Sequence, residues 1–390
     1  MHIPRRYLAI LLVYAWMLAV LSGAIYAYYT CVTQLTTGTT SQAGNEVQTL
    51  DARAAAIVAQ MSLEEKVGQL VMIGVHGTEL TDDSRFMLSQ YHIGGVILFD
   101  RNLVSAAQTQ ALTAQLQGYA QGEAGQKVPL LIGIDEEGGA VVRGRNFIAP
   151  PPAEQELGQT GDPLAAARSA AQVGRTLKSL GFNVNFAPVA DVGSPRGRAF
   201  ATDAAQVTAF VEQAAAGYEQ EGLLYALKHF PGIGKGRVDS HLEVSTVDAP
   251  LATLQNEDLM PFQRVITTRP PENYFVLVSH LIYPALDATH SASQSHAIIT
   301  GLLRGQMGYQ GVIITDDMEM GAVANHASYR ELGVNAIQAG ADIVMICHEY
   351  AHEQEVYLGL LAAAQQAMLS EAQIDAAVQR VVKAKLAHAF

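Results

Sequence analysis

The 390-residue chain carries 24 Lys and Arg against 37 Asp and Glu, a net charge of −13, and 49% of its residues are hydrophobic. That apolar content excludes a disordered chain, and an acidic chain without a basic stretch argues against a nucleic-acid partner. The two cysteines, Cys31 and Cys347, do not suggest a disulfide framework. Composition leaves a soluble α/β enzyme or binding protein, apart from the N-terminus.

Residues 1–29 are interpreted as a membrane anchor or signal segment. Arg5 and Arg6 precede a run without any charge over residues 7–29, which is long enough to cross a hydrocarbon core of about 30 Å. Because positive residues stay on the cytoplasmic side, we expect the rest of the chain across the membrane, tethered to its outer face. A secreted protein with a cleaved signal peptide is the alternative, with residues 22–24 as a small-residue cleavage site.

Residues 30–49 read as a polar linker, and residues 50–390 as one catalytic domain in which strand and helix patterns alternate eight times. Continuous apolar strands between helices predict a parallel sheet covered on both faces. Eight such units fit an α/β fold of the (β/α)8 TIM-barrel type, although periodicity alone leaves a doubly wound open sheet possible. The predicted strands are 71–75, 95–99, 130–134, 184–187, 224–227, 274–278, 311–314 and 343–346.

Ionisable side chains follow seven of the eight predicted strands. In a barrel these carboxyl ends converge on one face, where active sites lie. One or two such residues would only mark strand ends, whereas seven favour an active site at that face. The residues are Asp100-Arg101, Asp135-Glu136-Glu137, Asp191, Lys228-His229, His280, Asp316-Asp317 and Cys347-His348.

Five ordered motifs lie on these elements and cover nearly all of residues 50–390. The first is KHFPGIG at 228–234, followed by Asp239-Ser240-His241; the others are IDEEGG at 134–139, NFAPVADV at 185–192, GVIITDDM at 311–318 and AGAD at 339–342. Together they resemble glycoside hydrolase family 3, and more narrowly its β-N-acetylhexosaminidase branch. The resemblance implies a single-barrel, retaining exo-glycosidase that uses no metal or cofactor.

Glycoside cleavage with retention needs a carboxylate nucleophile and a separate proton donor. The family pattern has the nucleophile directly after Ser or Thr at the end of strand seven, which selects Asp316 after Thr315. Asp317 is expected to be a supporting neighbour, since consecutive strand side chains point to opposite faces. The resemblance also implies that His241 donates the proton and that Asp239 orients it. Without the family match, Asp239-Ser240-His241 would read as a surface turn.

Four further residues are implied by the resemblance to bind the sugar, because paired donors and acceptors fix the orientation of a sugar. They are Asp135, Arg198, Lys228 and His229. Glu136 and Glu137 are expected to support the site, and Cys347-His348 to be structural. No cysteine–histidine cluster has metal-ligand spacing.

The leading hypothesis is an exo-β-N-acetylglucosaminidase that removes terminal N-acetylglucosamine from peptidoglycan- or chitin-derived glycans outside the cytoplasm. The alternatives are a phosphorolytic enzyme, another β-glycosidase such as a β-glucosidase, and a tethered glycan-binding protein that has lost catalysis. The chain departs from the family motif at Ile233, where a second histidine is usual. We expect this change to alter loop packing or substrate range.

Overall fold

Eight parallel strands close into a barrel, and two further strands form an antiparallel hairpin outside it. The computed structural model describes residues 50–193, 197–236 and 245–388. In chain order the strands are β1 (Val71–Gly74), β2 (Gly95–Leu98), β3 (Leu131–Ile134), β4 (Val184–Asn185), β5 (Leu224–Phe230), β6 (Tyr274–Val278), β7 (Ile282–Tyr283), β8 (Asp287–Ser291), β9 (Val312–Asp317) and β10 (Ile343–Ile346).

The barrel order is β1-β10-β9-β6-β5-β4-β3-β2, with β1 paired to both β10 and β2. Each of the eight predicted strands corresponds to one barrel strand, and β7 and β8 form the hairpin between β6 and β9. The ring has no edge, which excludes the open sheet and confirms the (β/α)8 prediction.

Helices follow the barrel strands and cover the outside of the barrel. They are α1 (Leu63–Gln69), α2 (Asp82–Gln90), α3 (Ala106–Gln121), α4 (Glu154–Gln159), α5 (Leu164–Ser179), α6 (Ala204–Gln220), α7 (Leu251–Thr253), α8 (Met260–Thr268), α9 (Gly321–Ala324), α10 (Tyr329–Ala339), α11 (Tyr350–Gln365) and α12 (Glu371–Ala387). Two π-helical segments, Leu254–Asp258 and Ala297–Gln306, and three 3-10 helices, Asp100–Asn102, Pro271–Asn273 and Ala292–Gln294, are also present in the described ranges. Residues 50–58 are also helical.

A capping box is present at the start of α1. The Ser62 hydroxyl accepts from the backbone N–H of Glu65 at 3.2 Å, and the Glu65 carboxylate accepts from the backbone N–H of Ser62 at 2.7 Å. Each bond satisfies a backbone donor that the first turn of a helix leaves without an intrahelical partner.

Two apolar layers explain why the strands read as continuous hydrophobic runs. Side chains such as Met72, Leu131 and Phe275 fill the barrel interior, while side chains such as Val71 and Ile132 pack outward against the helices. Both faces of each strand are therefore buried. The interior layer ends at the carboxyl ends of the strands, and polar side chains continue from there.

The predicted anchor (residues 1–29) and linker (residues 30–49) lie outside the described residues. Among the helices of the described ranges, none has both the length and the apolar character needed to cross a membrane.

Candidate active site

A cavity of about 410 Å³ opens at the carboxyl ends of the barrel strands. Asp239 and His241, the predicted proton-donor pair, lie outside the described residues. The other five predicted site residues all line this one cavity: Asp135, Arg198, Lys228, His229 and Asp316. Ile233, the departure from the family motif, also lines it.

A β-bulge in β5 places two consecutive side chains in the cavity. Lys228 pairs with Leu277 of β6, and Phe230 pairs with the next β6 residue, Val278, so β5 holds one extra residue. An extra residue interrupts the alternation of side chains along a strand. Lys228 and His229 consequently both line the cavity.

Lys228 is the buried cation of the site and binds two carboxylates. Its Nζ lies 2.9 Å from Oδ1 of Asp135 and 2.6 Å from Oε1 of Glu137, and only 3% of the residue is exposed. Burial by itself would lower the pKa of Lys228, but the two carboxylates outweigh burial and raise this pKa. Lys228 therefore stays protonated and links β3 to β5.

Asp135 lies between two cations. Besides Lys228, the Arg143 guanidinium approaches Oδ2 of Asp135 at 3.2 Å. Burial pushes the pKa of Asp135 upward, but Lys228 and Arg143 exert the larger effect and hold this pKa below its usual value. The carboxylate is thus a charged acceptor at the cavity wall, which suits hydrogen bonds from sugar hydroxyl groups.

Glu137 orients Arg198. The Nε and Nη2 atoms of Arg198 donate to the two carboxylate oxygens of Glu137 at 2.9 and 2.7 Å. Burial opposes the charge, yet Lys228 and Arg198 lower the pKa of Glu137 to about 2. The bidentate geometry fixes the guanidinium plane at the cavity, in agreement with the supporting role expected for Glu137.

Asp191 fixes the tautomer of His229. Its Oδ2 lies 2.8 Å from Nδ1 of His229, and its Oδ1 accepts from the backbone N–H groups of His229 and Ile233 at 3.1 and 2.9 Å. With the proton on Nδ1, the other nitrogen of His229 can accept from Nη2 of Arg198 at 3.3 Å. Asp191 is fully buried and acts through His229.

A second bulge lies in β9, at the predicted nucleophile. Ile314 pairs with Ile343 of β10, while Asp317 pairs with Met345, so β9 uses three residues where β10 uses two. Asp316 and Asp317 therefore both line the cavity. The expectation that they point to opposite faces is wrong, because it assumed regular alternation.

The carboxylates around the cavity differ in their partners. Lys228 neutralises Asp135 and Glu137, His348 lies 3.1 Å from Asp317, and His352 lies 2.6 Å from Glu319. Asp316, in contrast, forms no ion pair within residues 50–193, 197–236 and 245–388; its Oδ1 accepts from the backbone N–H of Asp317 at 2.9 Å. A carboxylate without a bound cation keeps its lone pairs available for nucleophilic attack.

The sequence analysis expected His348 to be structural and did not include it among the site residues. Its imidazole lines the cavity, with 46% of the side chain exposed, and donates to Asp317. The sequence did hold a signal for this position, because His348 follows the eighth predicted strand just as Asp135 and Lys228 follow the third and fifth.

Asp317, Glu319 and His348 are the described residues whose side-chain atoms lie close enough together to hold a metal ion. These atoms also form hydrogen bonds with one another or with the backbone. Both oxygens of Glu319 accept hydrogen bonds, from the backbone N–H groups of Cys347 and Glu349 among others. The three residues form a hydrogen-bonded cluster.

Comparison with known proteins places the chain among glycoside hydrolases. The family model for the glycosyl hydrolase family 3 N-terminal domain matches residues 62–384. The beta-hexosaminidase A of Pseudoalteromonas piscicida is 34% identical over 336 residues, 79% of this chain and 56% of that protein. A beta-hexosaminidase of Nitrosomonas eutropha is 33% identical, over 74% of this chain and 84% of that protein.

Solved structures agree with the fold. A glycoside hydrolase family 3 beta-N-acetylglucosaminidase from Paenibacillus sp. has a TM-score of 0.81 and 38% identity, covering 84% of this chain and 63% of that one. A beta-N-acetylhexosaminidase from Beutenbergia cavernae has a TM-score of 0.77 and 31% identity, covering 84% and 99%. The chain thus spans less than two thirds of the Pseudoalteromonas and Paenibacillus proteins, and nearly all of the Beutenbergia protein.

Proposed function

Because the chain belongs to glycosyl hydrolase family 3, we propose that it is a retaining exo-β-N-acetylglucosaminidase. The substrates proposed are peptidoglycan- or chitin-derived glycans with a terminal N-acetylglucosamine. One observation carries the proposal: Asp316, without an ion-pair partner among the described residues, shares a cavity with the charged wall formed by Asp135, Arg198 and Lys228. The matched relatives named beta-hexosaminidase support the sugar class.

The reaction proceeds in two displacements. Asp316 attacks the anomeric carbon while His241, oriented by Asp239, gives its proton to the departing glycosidic oxygen. The sugar is then held as an ester on Asp316. His241 next takes a proton from water, the water oxygen attacks the anomeric carbon, and the Asp316 carboxylate leaves, so the product retains its configuration.

The charged wall holds the sugar during both steps. Asp135 offers acceptor oxygens, and Lys228 and Arg198 offer donors whose positions are set by Glu137. These side chains are already paired before the sugar arrives, so binding costs little further ordering of the protein.

A parallel assay with two aryl glycosides tests the proposal. The full chain should hydrolyse an aryl β-N-acetylglucosaminide much faster than the matching aryl β-glucoside. Faster hydrolysis of the aryl β-glucoside would favour the alternative of another β-glycosidase, such as a β-glucosidase. Acceleration by inorganic phosphate, with a sugar phosphate as product, would favour the phosphorolytic enzyme. No turnover of either substrate, together with retained glycan binding, would favour the binding protein.

The proposed site of action is the outer face of the cytoplasmic membrane, because residues 7–29 carry no charge and follow Arg5 and Arg6. The native protein should fractionate with membranes and be cleaved by protease added to spheroplasts. A mature protein that begins near residue 25 and is released in soluble form would instead support the cleaved signal peptide. Protein found wholly in the cytosol would contradict both.

A further inference from the structure

His280 contacts the strand end that carries the candidate nucleophile. It follows β6, the strand beside β9 in the barrel, and it is only 1% exposed. Nε2 of His280 lies 2.9 Å from the backbone carbonyl oxygen of Asp317. The imidazole does not line the cavity, so it does not reach a bound sugar. Any part that it has in the reaction must therefore act through the residues that it holds.

The two neighbours of the imidazole fix its tautomer. A carbonyl oxygen can only accept a hydrogen bond, so Nε2 of His280 carries a proton and donates it to Asp317. In the neutral ring Nδ1 is then the acceptor, and the Ser293 hydroxyl, 2.7 Å away, donates to it. Ser293 is fully buried and lies in the 3-10 helix that follows the β7–β8 hairpin. This insertion between β6 and β9 thus orients the imidazole.

The backbone of Asp317 connects His280 to the nucleophile. The N–H of Asp317 donates to Oδ1 of Asp316 at 2.9 Å, and Asp316 forms no ion pair within the described ranges. The carbonyl of Asp317 accepts from His280 and, at 3.1 Å, from the backbone N–H of Met320. Asp317 is therefore held at its carbonyl end and orients the Asp316 carboxylate at its amide end.

This contact lies where the pairing of β9 with its neighbours is irregular. Thr315 is the last residue of β9 that pairs with β6, opposite Val278. The bulge against β10 falls on the same stretch of β9 and ends at Asp317. A bulge disrupts the ladder hydrogen bonds that would otherwise hold the backbone in place. The imidazole of His280 supplies a hydrogen bond at this point.

We propose that His280, oriented by Ser293, is a positioning residue that holds the backbone of Asp317, so that Asp316 is aimed at the anomeric carbon. This inference rests on the glycosidase function proposed above. The proposed role is one of geometry, because an attacking group must lie close to the reacting atom and in line with it, and a small displacement slows the reaction.

The backbone around His280 is also held by other contacts. The N–H of Ser279 donates to the carbonyl oxygen of Phe230 at 2.9 Å. The hydroxyl of Tyr283 donates to the carbonyl oxygen of Gly232 at 2.9 Å. These bonds attach the segment to β5 and to the loop after it without using the imidazole. A variant that lacks the imidazole should therefore fold and keep the charged wall.

The test substitutes His280→Leu, which removes the donor to Asp317 and keeps an apolar side chain of similar size. Labelling of Asp316 by a fluorinated N-acetylglucosamine donor, and kcat/KM for an aryl β-N-acetylglucosaminide, should both fall about 10- to 100-fold. The inhibition constant of free N-acetylglucosamine should change less than about twofold, because the lost contact affects attack and not binding. All variants are assayed well below their unfolding temperatures.

Two further variants separate positioning from a merely structural role. In His280→Gln, a side-chain amide N–H can replace Nε2–H, and the labelling rate should return to within about threefold of that of the unsubstituted protein. Ser293→Ala removes the hydroxyl that fixes the tautomer and should lower the labelling rate less than His280→Leu does. The double variant should lose no more than His280→Leu alone, because Ser293 acts through His280.

His388→Leu is the matched control. His388 also contacts a backbone carbonyl oxygen and a side-chain oxygen, those of Gly222 and Asn273, at 3.3 and 3.2 Å. It does not line the cavity of the candidate active site. Its loss removes the same kinds of contact as His280→Leu, and the labelling rate should be unchanged.

The outcomes distinguish this inference from the proposed function. If the unsubstituted protein hydrolyses no aryl β-N-acetylglucosaminide, the proposed function fails. If it hydrolyses the substrate but His280→Leu labels at the unsubstituted rate, only the positioning role is overturned. That role is also overturned if His280→Leu and His280→Gln lose activity equally, or if the binding of N-acetylglucosamine weakens as much as labelling slows.

Discussion

The two sides of the cavity differ in how their carboxylates are paired with cations. On the β3–β5 side, two carboxylates and three cations form a network centred on the buried Lys228, and the side chain of Glu137 is 2% exposed. On the β9–β10 side, Asp316 has no cation partner among the described residues, and Asp317 has an imidazole. The first side is suited to hold a sugar rigidly, and the second leaves a reactive carboxylate available.

The two sides also differ in how much stability the fold loses when one of their side chains is removed. A buried ion pair is stabilising only while both partners are present, since removing one leaves an uncompensated charge. A carboxylate with few partners costs the fold little when it is lost, although the chemistry depends on it. Variants on the first side should therefore affect stability, and variants on the second should affect turnover.

The largest effect is expected for Asp316→Ala. Turnover should fall by on the order of 10⁴–10⁶-fold, on activated and natural substrates alike, because no leaving group replaces a missing nucleophile. A slow fluorinated N-acetylglucosamine donor should add its mass to Asp316 in peptide mapping. Asp317→Asn is the control and should keep measurable hydrolysis. Labelling of Asp317 instead would contradict the assignment.

The next effect concerns His241, in the segment between the described ranges. His241→Ala should slow natural disaccharides by about 10²–10⁴-fold and spare aryl substrates whose phenolate leaves without a proton. Asp239→Asn should show the same pattern more weakly, through lost orientation of the ring. The ratio of the two kcat/KM values measures this effect. Equal losses on both substrates would mean that His241 binds or supports and does not donate.

On the charged wall, Lys228→Met should lower the free energy of unfolding by about 3–5 kcal/mol, because Asp135 and Glu137 then share a buried site without their common cation. Denaturant titration measures this loss. Lys127→Met is the matched control: its ion pair with Glu65 is partly exposed, and its loss should cost under about 1 kcal/mol. Similar values for the two variants would show that the charged wall is not a stabilising network.

The smallest expected effect is a pH dependence of the free energy of unfolding that comes from Glu353. Burial raises the pKa of Glu353 to about 9, and its Oε1 accepts from the backbone N–H of Gly74. Because this pKa is higher in the folded than in the unfolded protein, the folded state holds a proton on Glu353 that the unfolded state has lost. The free energy of unfolding therefore falls as pH rises from about 4.5 to 9.

Glu353→Gln keeps the acceptor without a titrating group. Its free energy of unfolding, relative to the unsubstituted protein, should therefore rise by at most about 1.4 kcal/mol per pH unit between pH 5 and 9. Denaturant titrations at pH 6, 7 and 8 measure this trend. A difference that is the same at all three pH values would mean that Glu353 is ionised in the folded protein.

Much of this organisation could be predicted from the sequence. Eight apolar runs separated by amphipathic segments identified all eight barrel strands, because strands buried on both faces must be hydrophobic throughout. The residues after those runs included Asp135, Lys228, His229 and Asp316, which the barrel closure brings to one cavity. Arg198, in a loop, was found through the family motif and not through the strand pattern.

The partners of these residues could not be predicted in the same way. Glu137 binds Lys228 and Arg198, and Asp191 fixes the tautomer of His229. Both arrangements depend on distances between segments that belong to different strands. Contacts of this kind join residues far apart in the sequence, and no local pattern records them.

The sequence by itself determined which strands form and which ionisable residues follow them. Only the tertiary structure decided which side chains face the cavity, because bulges in β5 and β9 each add one residue against a neighbouring strand. The added residue interrupts the two-residue alternation, so Lys228 and His229, and likewise Asp316 and Asp317, enter the site as adjacent pairs. A bulge arises from the register between two strands, and that register exists only once the barrel has closed.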